Sequence, residues 1–321
     1  MDAFLGLDTS CYTTSAALVA RDGSVLSSAR RLLPVAPGQR GLRQSEAVFV
    51  HIKQLPEILA EAFAQARQAL PKGEELTLLA VAASRTPTDA AESYMPVFLA
   101  GWGSGMAIAQ AQALPCYAVT HQAGHIAAGR IGNEGLDERF LAVHLSGGTT
   151  DLLACAPEGI RPLGGSLDVH AGQLIDRLGV RLGLAFPAGP GLEKLALACE
   201  RPATGILPAS LAADGLHCHL SGAETKSMGL LERLPKEQIA LEAFDLLART
   251  VARLLRAGCA ATNARQALVV GGVASSLLLR RLLAERLSKV RVPLTLYFGE
   301  PQYSADNAAG VARLCRERWM A

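Results

Sequence analysis

The chain repeats one pattern of apolar segments and small-residue turns. Residues 4–28 read FLGLDTSCYTTSAALVARDGSVLSS, and residues 140–165 read FLAVHLSGGTTDLLACAPEGIRPLGG. Each stretch predicts an apolar strand, a turn rich in Ser, Thr and Gly, a second strand, a turn that contains Gly, and a third strand. The repetition predicts two α/β lobes that each contain one such unit.

The turns inside these two units could bind an anionic ligand. Small hydroxyl residues and glycines between paired strands leave backbone N–H groups available to an anion, so two such loops facing each other could hold the phosphates of one nucleotide. Ordinary hairpins use the same residue types. The turns alone therefore leave both interpretations open.

Strand and helix patterns alternate through the rest of the chain, as in the architecture of actin, sugar kinases and Hsp70. The polar stretch RIGNEGLDERF predicts a boundary between an N-terminal lobe, residues 1–137, and a C-terminal lobe, residues 138–321. A last helix is predicted near residues 305–319, and we expect it to return to the cleft between the lobes. Further helices are predicted at residues 47–70, 97–114, 171–184 and 239–263.

Composition sets wide bounds on function. With 321 residues, of which 50% are hydrophobic, the chain can bury a large core. A net charge of +2 neither indicates nor excludes a nucleic-acid partner, because a local basic face can lie within a balanced total. The N-terminal residues lack the pattern of a signal peptide, and the apolar stretch at residues 95–114 contains Gly, Ser and Gln, so we predict a buried helix there and no membrane span.

The cysteines indicate a reducing compartment. There are seven of them, without a CxxC pair, and an odd number argues against a complete disulfide framework. We therefore predict a cytoplasmic protein. Their positions are Cys11, Cys116, Cys155, Cys199, Cys218, Cys259 and Cys315.

Two histidines lie four residues apart in the segment THQAGH, and no charged residue occurs between Ser93 and Gly129. On a helix, His121 and His125 would project from one face and could offer two imidazoles to one metal ion. The alternative is a buried helix whose histidines each form a hydrogen bond to a neighbour. The HxxxH spacing lacks the additional acid of a zincin-type motif, so the two explanations remain open on spacing alone.

A second group of metal-ligand residue types occurs in HCH at residues 217–219. Consecutive residues of an extended chain point to alternate sides, and the sequence has no second cluster to complete a site. We therefore predict no separate metal site there.

Seven motifs, read in order, resemble the TsaD family of threonylcarbamoyl transferases, which also has an older label as O-sialoglycoprotein endopeptidases. The similarity covers almost the whole chain, and the order and spacing of the motifs carry it. They are GLDTSC, THQAGH, LSGGTTDLL, GGSLDVHAGQLIDRLGVRLGLAFPAGPGLEKLA, SGAETKS, LVVGGVASSLLLRRL and ADNAAGVA.

The resemblance implies a two-lobed, actin-like and Hsp70-like α/β fold that transfers a threonylcarbamoyl group from threonylcarbamoyl-AMP to N6 of adenosine 37 of tRNA. It also implies one divalent transition metal, iron or zinc, with ligands at His121, His125 and Asp306. Two imidazoles and one carboxylate leave positions open for substrate oxygens. Asp306 has an alternative role, because an acid in the first turn of a helix is favoured by the helix dipole.

The resemblance further implies a bound ATP- or AMP-type nucleotide. Asp176 matches a carboxylate expected at the ribose, and Asp168 matches a family acid that could instead cap the helix after it. Glycines near the nucleotide let the backbone approach it closely, although tight turns at strand ends use the same residue. The implied binding positions are Leu145, Ser146, Gly147, Gly148, Thr149, Asp176, Gly189, Gly271, Gly272 and Ser276, together with Ser10 and Asp168.

The sequence departs from the family pattern at several reactive positions. Tyr12 and Thr13 stand where the family has two acidic residues that are candidates for positioning the acceptor or for proton transfer. Ala123 stands where the family has a glutamate between the two histidines. The catalytic residues are therefore left unassigned, and the chemistry is expected to centre on the metal.

Other departures concern the nucleotide and tRNA positions. Thr149 replaces a histidine, Ser276 replaces an asparagine, and Glu224 stands where a lysine is usual. The exchange at Glu224 reverses charge in a region expected to face nucleotide or tRNA, although Lys226 offers a basic residue nearby. The pattern is that of a divergent paralogue.

Three functions follow from these observations. The first is a TsaD-like transferase that acts on tRNA, with TsaB-like and TsaE-like proteins or a second copy of the chain as partners. The second is a paralogue that binds metal and nucleotide in a regulatory role or uses a different acceptor. The third is a metalloprotease, which is the least favoured because the sequence contains no HExxH.

Overall fold

The computed structural model describes residues 1–10, 12–34, 42–290, 293–305 and 307–321. The chain forms two compact units. The first comprises Met1–Ile131 and Gln302–Ala321, and the second comprises Gly132–Pro301. The C-terminal segment thus packs with the first unit, whereas the sequence placed a single boundary after residue 137.

The first unit contains a five-stranded sheet with the order β3-β2-β1-β4-β5. Three consecutive strands form an antiparallel meander, as the repeated pattern predicts, and two further strands extend the sheet parallel to the first of them. The strands are β1 (Asp2–Thr9), β2 (Thr13–Ala20), β3 (Val25–Leu32), β4 (Thr77–Thr86) and β5 (Cys116–Thr120).

Helices cover both faces of this sheet. Side chains of β1 alternate, so that Leu5 and Leu7 pack against α1 and α2, whereas Phe4 packs with Val311 and Cys315 of α10 on the other face. The helices of this unit are α1 (Gln44–Ala69), α2 (Phe98–Ala111), α3 (His121–Gly129) and α10 (Ala309–Met320). The last helix begins at Ala309 and not near residue 305 as predicted.

Close backbone contact joins α3 to α10. A Cβ atom added at Gly310 would lie 1.9 Å from the carbonyl oxygen of Gly124, so any larger residue would separate the two helices. Gly124 lies between the two histidines of the THQAGH segment. The position of α3 is therefore fixed in two ways. The helix follows β5 directly, and it packs closely against α10.

The second unit contains a seven-stranded sheet with the order β12-β11-β6-β7-β8-β10-β9. Its meander of β6, β7 and β8 matches the predicted second copy of the pattern, and β11 and β12 extend it in parallel from β6. The strands are β6 (Phe140–Leu145), β7 (Thr150–Ala156), β8 (Gly159–Ser166), β9 (Ser210–Leu211), β10 (His217–His219), β11 (Gln266–Val270) and β12 (Thr295–Phe298).

The long helix α7 (Lys236–Thr262) forms much of the core of this unit and carries two buried carboxylates. Glu242 accepts hydrogen bonds from the backbone N–H groups of residues 204–206, and Asp245 bonds to Arg249 and Arg286. Both acids are fully satisfied, as burial requires. The other helices of this unit are α4 (Ala171–Arg181), α5 (Gly189–Leu197), α6 (Ser221–Gly229) and α8 (Leu277–Val290). The short helix α9 (Pro301–Ser304) begins at the last residue of this unit, and its remaining residues belong to the first.

The apolar stretch at residues 95–114 forms α2, which lies within the first unit. Within the described ranges, none of the helices combines the length and the apolarity that crossing a bilayer requires.

Candidate metal centre and nucleotide turns

The histidine helix starts where the parallel strands of the first unit end. Strands β1, β4 and β5 run in the same direction, and α3 follows β5 directly. The carboxyl ends of parallel strands are the usual position of ligand sites in α/β sheets. Thr120 caps the helix, because its hydroxyl accepts a hydrogen bond of 3.2 Å from the backbone N–H of Ala123.

The two histidines present the same ring nitrogen to each other. Nε2 of His121 lies 3.1 Å from Nε2 of His125, and the rings meet edge to face. Two nitrogens bound to one ion at about 2.1 Å, with an angle of about 100° between them, lie about 3.2 Å apart. The same 3.1 Å contact is a hydrogen bond between the two rings, as the alternative of a buried helix with hydrogen-bonded histidines expects, and the spacing is also compatible with a shared transition metal.

A buried carboxylate contacts the other nitrogen of His121. Oδ1 of Asp8 lies 2.9 Å from Nδ1 of His121, and the Asp8 side chain is 0% exposed. Asp8 was not among the predicted site residues. Its signal was available in GLDTSC, where an acid stands at the end of an otherwise apolar strand, but its partner could not be found without the strand order.

The third predicted metal ligand, Asp306, lies outside the described residues. Its neighbour Asn307 is fixed by its side chain, which donates to the carbonyl oxygens of Tyr303 and Ala305 and accepts from the N–H of Ala309. Among the residues that the structure describes, no group of three or more His, Cys, Asp or Glu side chains could hold a metal ion. The geometry of the first unit therefore supports two ligands.

The turn after β1 is supported by a buried histidine of α1. Nε2 of His51 lies 2.8 Å from the carbonyl oxygen of Ser10, and its Nδ1 lies 2.8 Å from the hydroxyl of Thr14. Burial lowers the pKa of His51, so the neutral ring is favoured. Of the two positions that lack the family acids, Tyr12 is exposed and Thr13 is buried as the first residue of β2.

The turn after β6 contains the predicted phosphate loop. The Ser146 hydroxyl accepts hydrogen bonds from the N–H groups of Gly148 and Thr149, at 3.1 and 3.0 Å. The Thr149 hydroxyl lies 3.1 Å from Nδ1 of His144 and 3.3 Å from the Ser146 hydroxyl. Leu145 is buried at the end of β6 and does not offer its side chain to a ligand.

Helix α4 begins directly behind this turn. The N–H of Gly172 donates to the carbonyl oxygen of Ser146 at 3.0 Å, and a Cβ atom added at Gly172 would lie 2.6 Å from the nitrogen of Gly147. Gly147, Gly148 and Gly272 have no atom within 4 Å of a Cβ position, so space is open beside them. The turn is held in place by α4, and the space beside its glycines is open. This arrangement suits a bound anion.

The side chain of Asp176, in α4, contacts the start of α5, where Gly189 lies. Asp176 accepts a hydrogen bond of 2.7 Å from the N–H of Ala188, one residue before Gly189. Burial raises the pKa of Asp176, and its hydrogen bonds from the backbone oppose that effect. The carboxylate predicted at the ribose thus holds the turn that contains Gly189.

Ser276 and Gly271 have local structural roles. The Ser276 hydroxyl accepts a hydrogen bond from the N–H of Leu279 and caps α8, whose N–H at Leu278 is bound by Glu193. Gly271 has φ of 97° and approaches the carbonyl oxygen of Leu145 so closely that a Cβ atom would lie 2.3 Å from it.

Asp168 caps a helix other than the one expected. Its carboxylate accepts hydrogen bonds from the N–H groups of Leu220 and Ser221, and from the Ser221 hydroxyl, at the start of α6. Helix α4, which follows Asp168 in sequence, starts after His170. The expectation that Asp168 caps the following helix is therefore wrong, because tertiary packing brings α6 to it.

The charge reversal at Glu224 is balanced within the second unit. Its carboxylate accepts two hydrogen bonds from Nη1 of Arg177, at 3.0 and 3.3 Å. Arg177 lies on α4 and Glu224 on α6, so the pair joins the two helices that meet at the predicted nucleotide region. A basic group is thus present there although residue 224 is acidic.

The HCH segment forms β10, and among the described residues it assembles no metal site. His217 bonds to Asp214 at 2.6 Å, and Cys218 is buried on the opposite side of the strand. Burial raises the pKa of the Cys218 thiol to about 11, which keeps it protonated at neutral pH.

Each unit thus combines a three-stranded meander, parallel strands and flanking helices, which defines the actin-like α/β fold. HypF from T. kodakarensis shares this fold with a TM-score of 0.66 at 15% identity, over 99% of this chain and 48% of that one. The activator of 2-hydroxyisocaproyl-CoA dehydratase from Clostridium difficile does so with a TM-score of 0.55 at 13% identity, over 98% and 95% of the two chains. These likenesses concern the fold alone.

Sequence comparison identifies the family within this fold class. A model of the TsaD family, described as tRNA N6-adenosine threonylcarbamoyltransferase, matches residues 39–313. A tRNA N6-adenosine threonylcarbamoyltransferase of Thermus thermophilus is 35% identical over 313 residues, which cover 96% of this chain and 90% of that protein. The chain belongs to the TsaD family of transferases, as its motifs predicted.

Proposed function

We propose that this chain transfers a threonylcarbamoyl group from threonylcarbamoyl-AMP to N6 of adenosine 37 of tRNA, with the help of one divalent transition metal, iron or zinc. The observation that carries the proposal is the 3.1 Å separation of the Nε2 atoms of His121 and His125 at the carboxyl end of the sheet. It supports metal binding by a member of a tRNA-modifying family. Asp306 is proposed as the third ligand on the family pattern.

A divalent cation held by His121 and His125 would supply Lewis acidity toward the carbamoyl carbonyl and toward the charge that develops as AMP leaves. Each imidazole would offer one ring nitrogen to the ion, and Thr120 fixes the first turn of the helix that carries both rings. The ring centroid of Phe98 lies 5.6 Å from that of His121, and this packing limits movement of the His121 ring. The chain therefore orients both ligands before any substrate binds.

The nucleotide part of the donor is proposed to bind in the second unit. Ser146 and Thr149 offer hydroxyls, and Gly147, Gly148 and Gly272 leave open space through which phosphate oxygens can approach the backbone. Asp176, which holds the turn before α5 beside Gly189, is proposed to stand near the ribose. Leu145, Ser276, Gly271 and Asp168 act as supports of these elements and not as direct ligands.

A second candidate is a paralogue that binds metal and nucleotide but uses another acceptor or has a regulatory role. It is favoured by Tyr12 and Thr13, which stand at the two acidic positions of the family. Glu224 favours it less than the sequence suggested, because Arg177 neutralises the reversed charge. A metalloprotease is disfavoured, because Gln122 follows the first histidine at the position where HExxH has the glutamate that activates water.

Nucleoside analysis of tRNA tests the proposal. A host depleted of its own TsaD is complemented either with the wild-type chain or with the double variant His121→Ala/His125→Ala, at matched protein levels. We expect the threonylcarbamoylated adenosine to return with the wild type only. Its absence with wild-type protein that is folded and metal-loaded would favour the second candidate, for which Tyr12→Asp/Thr13→Glu offers a gain-of-function comparison.

A further inference from the structure

Asp8 differs from the other buried acids of this chain. Glu242 and Asp245 have hydrogen-bond donors on both carboxylate oxygens, including backbone N–H groups and arginines. Asp8 is equally buried, yet within the described part of the chain its Oδ2 atom has no hydrogen-bond partner. Burying a carboxylate with one oxygen unsatisfied costs free energy, so stability alone does not account for an acid at this position.

The side-chain partner of Asp8 is the Nδ1 atom of His121, at 2.9 Å. Carboxylate oxygens accept hydrogen bonds, so we assign the proton of this contact to Nδ1 of the imidazole. A neutral imidazole that is protonated at Nδ1 has its lone pair on Nε2. That atom is the one that lies 3.1 Å from Nε2 of His125.

The fold places this carboxylate independently of the histidine helix. Asp8 is the penultimate residue of β1, the central strand of the five-stranded sheet, and His121 follows β5, with β4 between the two strands. The contact therefore joins the two parallel strand ends across an intervening strand. Two contacts limit rotation of the His121 ring: the packing of Phe98 against it and the hydrogen bond to Asp8.

We propose that Asp8 is a positioning residue, which fixes the Nδ1–H tautomer of His121 and directs its Nε2 toward a divalent transition metal. The proposal rests on the metal site of the proposed function and extends it to a residue that does not contact the ion. Carboxylates that accept from the second nitrogen of a metal-binding histidine typically change metal affinity by about 10- to 100-fold when removed.

Zinc affinity of the full chain tests the proposal, by competition against a chromophoric chelator. We expect Asp8→Ala to raise the dissociation constant for Zn²⁺ by about 10- to 100-fold. Asp8→Asn should restore part of the affinity, because its amide oxygen can still accept from Nδ1. The control is Asp245→Asn, which removes an equally buried carboxylate from the second unit and should leave zinc affinity unchanged, while circular dichroism checks the fold of each variant.

The tautomer itself is measured on the metal-free wild type, by long-range ¹H–¹⁵N correlation of histidine rings labelled with ¹⁵N. We expect His121 to be protonated at Nδ1 in the wild type and to change mainly to the Nε2–H form in Asp8→Ala. An Nε2–H tautomer in the wild type, or unchanged zinc affinity in folded Asp8→Ala, would overturn the proposal. If Asp8→Ala does not fold, the zinc affinity of Asp8→Asn and the tautomer of His121 in the wild type test the proposal instead.

These measurements separate the inference from the function on which it rests. A wild-type chain that fails to bind zinc, iron or cobalt would refute the metal site, whereas the tautomer of His121 would still report whether Asp8 sets it. A wild type that binds zinc together with an Asp8→Ala variant of equal affinity would leave the metal site intact and refute the role of Asp8 alone.

Discussion

Nδ1 of His144 lies 3.1 Å from the hydroxyl oxygen of Thr149, so the turn after β6 holds an imidazole against a hydroxyl although residue 149 is not the histidine of the family pattern. His144 is buried at the end of β6, whereas Thr149 lies in the turn itself. The hydroxyl of Thr149 is the group of this pair that we propose to contact a phosphate.

Thr149→Val should weaken nucleotide binding without unfolding the chain. The substitution keeps the shape of the side chain but removes the hydroxyl that contacts His144 and Ser146. We expect affinity for a non-hydrolysable ATP analogue to fall about 5- to 20-fold, since one hydrogen bond to a charged group contributes about 1.5 kcal/mol. Calorimetric titration checks this. Thr225→Val, which removes a hydroxyl bonded within α6, is the matched control, and equal effects of the two variants would argue against the assignment.

Two glycines in the same region should respond differently to a methyl group. Gly148→Ala meets open space and should leave the free energy of unfolding nearly unchanged while it lowers nucleotide affinity. Gly172→Ala would place a Cβ atom 2.6 Å from the Gly147 nitrogen and should destabilise the chain by about 1–3 kcal/mol. Denaturant unfolding and nucleotide titration of both variants separate the effects. Full nucleotide affinity in Gly148→Ala would show that no ligand uses that space.

Acid stability should depend on Asp168. Burial acts to raise the pKa of this carboxyl, but hydrogen bonds from the Ser221 hydroxyl and from backbone N–H groups outweigh it and hold the pKa well below its usual range. Since the pKa is lower in the folded state, the stabilisation is present above the unfolded value of about 3.9 and is lost as the pH falls below it.

The variant Asp168→Asn should therefore lower stability by about 1–2 kcal/mol at neutral pH, because a neutral amide replaces the charged acceptor of several hydrogen bonds, and should flatten the decline in stability below about pH 4. Urea unfolding between about pH 3 and pH 7 measures both effects. Asp89→Asn, which changes an exposed loop carboxylate, provides the control. If the free energy of unfolding declined with falling pH equally in Asp168→Asn and in the wild type, the role given to Asp168 would be contradicted.

Local patterns predicted much of the fold because the relevant interactions are close in sequence. The two meanders follow from apolar segments joined by small-residue turns, and the HxxxH spacing pointed to the helix that carries His121 and His125. The packing of α10 with the first unit could not be predicted in this way, because it depends on contact between Gly310 and Gly124.

The residues of the candidate site could likewise be predicted only where they are close in sequence. His121 and His125 share a helix, so their spacing showed that they could act together. Asp8 is 113 residues away from His121, and only the order of strands in the sheet brings them into contact. The same holds for Asp168, whose partners Leu220 and Ser221 lie 52 and 53 residues farther along the chain.

Metal content of the purified chain tests the central claim most directly. After expression in medium that contains iron and zinc, elemental analysis of the wild type should give about one transition-metal ion per chain. The double variant His121→Ala/His125→Ala should retain almost none, whereas His217→Ala, which removes a half-buried histidine bonded to Asp214, should keep the full complement. A double variant that is folded and carries as much metal as the wild type would contradict the account.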